Sequence, residues 1–216
     1  MTPQTTLAAK AKASSRDLLA PSHAEWASAE ETSLPLEPTP LERQPSAYVQ
    51  KSWESRPHGE TSSVRLRALV SEDSLVLRLA WAAEQPVEAI TDNNVHADAC
   101  GVLFPLDGKD AELSSMGSEE SPVQSWYWRA GLPAPFVATA KGLGTLTRQR
   151  ESALVANAEW RNGEWSVVFA RPLDSDGVPL ARGAEVPVGL AVWSGEAGER
   201  AGLKSHTPVW HRLTIA

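Results

Sequence analysis

Residues 152–171 read SALVANAEWRNGEWSVVFAR, and this stretch is the clearest guide to the fold class. Two runs rich in apolar, β-branched and aromatic residues, 152–160 and 165–171, flank the dipeptide Asn162-Gly163. Such residues favour strands. Asn-Gly readily adopts the positive φ angles that a type I′ hairpin turn requires. We therefore expect a β-hairpin at this point of the chain.

Short strand-like runs separated by turn residues also occupy the rest of the chain from about residue 46. Apolar residues alternate, for example, at Val64, Leu66 and Ala68. Many short strands with frequent turn signals are typical of sandwiches and barrels. The prediction is an all-β fold, an antiparallel β-sandwich whose long loops at residues 107–122 and 195–208 carry the functional residues. Further strands are expected at residues 63–70, 74–81, 99–104, 123–129, 145–149, 186–193 and 209–215.

The first 45 residues differ in composition from the remainder, which divides the sequence into an arm (1–45) and a sandwich domain (46–216). The arm is rich in Ala, Ser, Thr, Pro and Glu, with prolines at positions 35, 38, 40 and 45. Proline lacks a backbone N–H and interrupts helices and strands. We expect an extended or disordered segment here, either an arm that wraps a neighbouring subunit or a leader without structure.

Composition excludes several classes of function. The net charge of −7 argues against a nucleic-acid partner, because such binders need clustered cations. With Cys100 as its one cysteine, the chain holds no internal disulfide, four-cysteine iron–sulfur cluster or CxxCH-linked haem. No apolar run reaches the ~20 residues of a membrane span. Residues 1–30 also lack the apolar centre of a secretion signal, so export would use a partner's signal.

The tryptophans are the first candidates for a binding surface. The chain has nine, and Trp126-Tyr127-Trp128 places two of them on the same face of a strand. Large aromatic side chains are common in the core of a β-sandwich. The alternative is an apolar wall against a flat macrocycle or a sugar, and the sequence leaves both interpretations open.

Several loop motifs resemble a known family when they are taken together. They are SMG at residues 115–117, WYW at 126–128 and WSGEAGERAGLKS at 193–205, followed by Trp210; HADACGVLFP at 96–105 precedes them. This set resembles the haem-binding gamma subunit of the ethylbenzene dehydrogenase type. Similar subunits belong to dimethylsulfide dehydrogenase, chlorate reductase, selenate reductase and some nitrate reductases. The resemblance extends from about residue 48 to the C-terminus.

The resemblance implies a cofactor and its ligands. The family holds one haem b between a methionine and a lysine, which correspond here to Met116 in the SMG loop and Lys204 in the GLKS segment. Trp126, Trp128 and Trp193 would line the haem pocket. By the same resemblance the chain would be a non-catalytic electron-transfer subunit. Its partners would be a molybdenum-cofactor catalytic subunit, an iron–sulfur subunit and an external carrier such as a cytochrome c, in the periplasm or alternatively the cytoplasm.

The residues themselves allow other interpretations of this ligand pair. Met116 is the only methionine besides Met1; methionines commonly fill cores, but the surrounding LSSMGS is polar. Lys204 on its own would be assigned to the solvated surface. His206, two residues further on, is the rival second ligand, because imidazole is a commoner haem ligand and sandwich cytochromes of the DOMON type use a Met/His pair.

Two functions from other classes compete with electron transfer. A carbohydrate-binding module has a similar sandwich, uses aromatic platforms and needs no cofactor. A purely structural assembly subunit would bind neither haem nor sugar. Asp92, Asn93 and Asn94 form either a turn or an ion site, and their turn preference favours the turn.

Overall fold

The computed structural model describes residues 2–92, 95–109 and 111–216, and it is all-β as predicted. The turn or ion site considered at Asn93 and Asn94 lies outside the described residues. Two short helices, α1 (Ser15–Leu18) and α2 (Ala47–Trp53), accompany the strands, with 3₁₀ turns at Ala24–Ser28 and Leu41–Arg43. The strands are β1 (Thr5–Lys10), β2 (Thr32–Pro35), β3 (Glu37–Pro38), β4 (Ser63–Ser71), β5 (Ser74–Ala82), β6 (Ala99–Pro105), β7 (Val123–Arg129), β8 (Phe136–Ala140), β9 (Thr147–Arg148), β10 (Val155–Arg161), β11 (Glu164–Pro172), β12 (Glu185–Trp193), β13 (Ser205–His206) and β14 (His211–Ile215).

The predicted hairpin is present as β10 and β11. Asn162 and Gly163 form its turn with φ angles of 53° and 80°, and Trp160 pairs with Trp165 beside the turn. β11 continues the sheet onto β5, and β5 onto β4. The hairpin is thus the edge of one layer of the fold.

The strands form two layers joined by the N-terminal strand. One layer has the order β10-β11-β5-β4, and the other has the order β14-β12-β6-β7-β8-β9. β1 lies between them and is parallel both to β14 and to β4, while the other described pairings are antiparallel. The sheet is therefore mixed at β1.

The main core lies between the two layers. Alternate side chains of β4, β5 and β11 meet alternate side chains of β6, β7 and β12. The Trp126 ring, fully buried, lies 6.5 Å from the Phe169 ring of the opposite layer. Trp128 contacts Trp81 and Trp165 in the same way. Face-to-face packing of this kind is the architecture of a β-sandwich.

The expectation that residues 1–45 lack regular strands is wrong. β1, β2 and β3 all lie in this segment and pair with strands of both layers. Its prolines did not prevent this, because Pro35 and Pro38 end two very short strands, where a missing N–H costs little. Between β1 and β2, Leu18 and Trp26 pack on the outer side of the β4-β5-β11 layer, over Leu69, Val76, Val168 and Ala170.

Two strand predictions differ from the structure in the region between β7 and β10. The strand expected over residues 145–149 contains only Thr147 and Arg148, and β8 was not predicted. β8 directly follows the sequence GLPAP, and the two prolines favoured a loop over a strand at this point. No helix among the described residues is long and apolar enough to cross a membrane.

Candidate functional site

The outer face of the β12-β6-β7 layer carries several small residues. Because side chains alternate along a strand, residues that pair directly lie on one face: Gly101 pairs with Ala191 and with Tyr127. Gly189 lies on the same face, and a Cβ there would come within 2.5 Å of Leu113. This face is opposite to the main core and is covered by loops.

Met116 lies in a tight turn of the loop between β6 and β7. Its φ angle is +59°, and Gly117 follows at +79°. The Met116 amide donates to the Leu113 carbonyl at 3.1 Å, and the side chain packs against the cluster of Leu103, Ala111, Val123, Ala140 and Trp210. A positive φ at a residue with a side chain is uncommon and costs ~1–3 kcal/mol, and such strain concentrates at functional sites.

Lys204 reaches the same place from the loop between β12 and β13. It is only 4% exposed. Its ammonium nitrogen lies 3.9 Å from the Met116 sulfur and 5.3 Å from the centre of the Trp193 ring. Among the residues that the structure describes, no carboxylate forms a salt bridge with it. Burial lowers the pKa of Lys204 to about 8.

His206 lies on the same face as Lys204. It pairs with Ala191 across β12 and is buried. Its Nδ1 is hydrogen-bonded to the Thr207 carbonyl at 2.8 Å. Burial, and then the charge of Lys204, lower the pKa of His206. The side chain that meets the Met116 sulfur is thus Lys204, while His206 lies beside it.

The tryptophans divide between the two faces of the layer. Trp126 and Trp128 belong to the main core between the layers, so they do not line the face with Met116 and Lys204, and core packing is their role here. Trp193 does lie on that face, together with Tyr127, their rings 5.4 Å apart. The position of Tyr127 could have been predicted from the WYW motif. Side chains alternate along a strand, so Tyr127 must lie on the face opposite to Trp126 and Trp128.

The segment of residues 37–44, which we term the strap, contacts both loops. The Thr39 amide donates to the Lys204 carbonyl at 3.0 Å, and the Thr39 hydroxyl donates to the Gly202 carbonyl at 2.5 Å. Arg43 pairs with Glu112 and donates to the Ser114 hydroxyl at 2.8 Å in the Met116 loop. The strap therefore joins the loop of Met116 to the loop of Lys204.

The Met116 sulfur and the Lys204 nitrogen are both atoms that can bind a metal ion. The described residues include no cluster of three or more His, Cys, Asp or Glu side chains that could hold a bare metal ion.

Comparison with known proteins agrees with the sequence motifs. The family model described as ethylbenzene dehydrogenase matches residues 23–151 and 131–205, which together span most of the chain. The chain belongs to the ethylbenzene dehydrogenase family.

Three named proteins are similar in sequence to the chain. A putative respiratory nitrate reductase heme subunit from Haloferax mediterranei is 30% identical over 82% of this chain and 71% of its own length. The chlorate reductase subunit gamma of Ideonella dechloratans is 35% identical over 71% of this chain and 65% of its own length. The dimethylsulfide dehydrogenase subunit gamma of Rhodovulum sulfidophilum is 31% identical over 68% of this chain and 62% of its own length. The matches to the two gamma subunits therefore span less than two thirds of those proteins.

Solved structures with the same fold are carbohydrate-binding proteins. A family 9 carbohydrate-binding module from Caldicellulosiruptor kristjanssonii with bound glucose superposes with a TM-score of 0.54 at 7% identity, over 99% of this chain and 96% of that module. A putative carbohydrate-binding protein from Bacteroides uniformis gives 0.58 at 10% identity over the whole of both chains. At these identities the likeness establishes the β-sandwich fold of this ethylbenzene dehydrogenase family member and nothing further.

Proposed function

We propose that the chain is the electron-transfer subunit of a molybdenum oxidoreductase complex and holds one b-type haem between Met116 and Lys204. The observation that carries the proposal is the 3.9 Å contact between the Met116 sulfur and the Lys204 amine. These residues are 88 positions apart in sequence and come from different loops. Both contribute an atom that can donate an electron pair to iron, and neither has another strong partner among the described residues.

Lys204 is prepared for ligation by its surroundings. An amine binds a metal only as the neutral base, and burial without a carboxylate penalises the charged form. The lowered pKa of about 8 reflects this burial. A salt bridge would have had the opposite effect. Trp193, Thr39 and the chain around Gly202 hold the residue in place.

Met116 contributes the complementary ligand. A thioether carries no charge and needs no deprotonation, and as a soft ligand it favours the ferrous over the ferric state. Its position is set by the turn at residues 113–117 and by packing against the cluster that includes Val123 and Trp210. Bound haem would supply a one-electron iron couple at this point. Held by both Met116 and Lys204, the iron would have no position left for a substrate, which suits a non-catalytic subunit that carries electrons.

The names of the relatives support a place for the chain in a multi-subunit complex. Their names are those of gamma and heme subunits of reductases and a dehydrogenase, and the family resemblance supplies a molybdenum-cofactor catalytic subunit and an iron–sulfur subunit as neighbours. An external carrier such as a cytochrome c would exchange electrons with the complex. The periplasm is the compartment that this resemblance favours.

The carbohydrate-binding alternative is less well supported by the side chains. Eight of the nine tryptophans are buried, and Trp160 is half-buried. Sugar-binding modules need an exposed aromatic platform on the surface. The tryptophans of this chain instead fill its cores.

The proposal is tested by reconstituting the purified apoprotein with haemin and recording its absorption spectrum. Met116→Ala and Lys204→Ala should each change the spectrum and speed the release of haem by at least ~10-fold, the lower end of what loss of a supporting contact costs at a metal site. His206→Ala should retain the spectrum. Lys10→Ala removes an exposed lysine of β1 and is the matched control. A Lys204→Ala protein with an unchanged spectrum, together with a His206→Ala protein without haem, would contradict the assignment of the second ligand.

A further inference from the structure

A small cleft opens beside the proposed haem ligands. It has a volume of about 140 Å³, and Tyr127 and Trp193 form part of its wall. The Trp193 ring contacts the Lys204 ammonium on one side, and the Trp193 indole donates to the Ala201 carbonyl at 3.0 Å. The cleft thus adjoins the site of Met116 and Lys204 on the same face of the sandwich.

Three basic side chains line this cleft. Arg200 Nη1 lies 2.8 Å from His96 Nε2, which makes the imidazole nitrogen the acceptor of that hydrogen bond. Arg129 lies at the end of β7, near enough that its charge, like that of Arg200, lowers the pKa of His96 after the larger effect of burial. The cluster is cationic although the whole chain carries a net charge of −7.

The two arginines lack acidic partners. In the described ranges, neither Arg129 nor Arg200 takes part in a salt bridge. Arg129 Nε is buried and has no hydrogen-bond partner. A buried guanidinium donor without an acceptor is costly, and it marks a place where an acceptor is expected.

Glu199 also lines the cleft, but it is occupied elsewhere. Its carboxylate accepts hydrogen bonds from the backbone amides of Gly59 at 2.5 Å, Glu60 at 3.1 Å and Ser194 at 2.9 Å. It is 1% exposed. The carboxylate therefore ties two loops together and forms no salt bridge with the arginines of the cleft.

We propose that this cleft binds a propionate carboxylate of the haem, with Arg200 and Arg129 as hydrogen-bond donors. The inference rests on the proposed function, because the carboxylates belong to the same haem that Met116 and Lys204 ligate. Guanidinium groups bind carboxylates through paired, charge-assisted hydrogen bonds. Tyr127 and Trp193 offer an apolar surface to the ring beside its anionic edge. The cleft then sets which edge of the haem enters the protein.

The test compares haemin with haemin dimethyl ester, in which both carboxylates are esterified, on the intact chain. The wild type should release the ester at least ~10-fold faster than haemin, since a charge-assisted hydrogen bond is lost. Arg200→Gln and Arg129→Gln should speed release of haemin by a similar factor and leave release of the ester unchanged. Arg16→Gln is the control, because Arg16 is exposed in α1 on the outer side of the opposite layer. Release is followed by transfer to apomyoglobin.

The outcomes separate this inference from the proposed function. A wild-type protein that binds no haem overturns both. A normal haem spectrum combined with equal release of haemin and ester, or with Gln variants that still discriminate between them, overturns the propionate site alone. A third arm titrates the apoprotein with inorganic phosphate. Phosphate binding that Arg200→Gln abolishes, with haemin release unaffected, would identify a general anion site and overturn the inference.

Discussion

The environments of Met116 and Lys204, rather than their residue types, indicate that they are ligands. A lysine is normally solvated and a methionine is normally a core filler. Here the lysine is 4% exposed with no carboxylate partner among the described residues, and the methionine holds a φ of +59°. Each position is unfavourable for the isolated chain. Together they bring a sulfur and an amine within 3.9 Å of each other.

The strain at Met116 predicts how two substitutions differ. Met116→Gly and Met116→Ala both remove the sulfur, so both should lose the ligand. Glycine tolerates a positive φ, whereas alanine does not, so the Gly apoprotein should be more stable by ~1 kcal/mol. Urea unfolding of the two apoproteins measures the difference. An Ala variant as stable as the Gly variant would show that the turn relaxes and stores no strain.

The strap, residues 37–44, is the element that links the two loops. Its hydrogen bonds reach the Lys204 loop through Thr39, and its Arg43 reaches the Met116 loop. The exposed pair of Arg43 with Glu112 contributes little stability on its own. The buried Thr39 hydroxyl is more important, because removing it leaves the Gly202 carbonyl with one acceptor bond fewer.

Thr39→Val tests this role of the strap. Valine keeps the shape of threonine and deletes the hydroxyl, so the Gly202 carbonyl loses one hydrogen bond and keeps the one from Gln44, at a cost of ~1 kcal/mol. We expect haem release to be roughly tenfold faster, with the absorption spectrum of the bound form unchanged. Thr147→Val, at an exposed threonine of β9, is the control. Equal release rates for the two variants would show that the strap does not hold the ligand loops.

At the scale of the whole molecule, local sequence patterns predicted individual strands and turns better than they predicted how the strands pair. The Asn162-Gly163 turn was predictable because its geometry depends on two residues. The parallel pairing of β1 with β4 and β14 was not, since it depends on contacts between the two ends of the chain. Met116 and Lys204 came from the family resemblance, and the structure brings them together. Trp126 and Trp128 lie on the face of β7 that the other sheet covers. The sequence alone does not show which face of a strand the other sheet will cover.

The contact between the Met116 loop and the Lys204 loop also predicts that the site moves when haem binds. The Met116 sulfur and the Lys204 nitrogen are in contact at 3.9 Å. Binding of a porphyrin between these side chains therefore requires the Met116 loop to move outward. That loop is half-exposed, unlike the strands beneath it.

The most direct test of the central claim uses the methionine methyl groups as probes. The chain contains only Met1 and Met116, so ¹³C-methyl-methionine labelling gives two signals, and Met116→Ala assigns them. In the ferrous haem-loaded protein we expect the Met116 methyl signal to shift strongly upfield, because a thioether bound to the iron lies directly over the porphyrin ring. Haem binding that leaves both methyl signals at their apoprotein positions would contradict ligation by Met116.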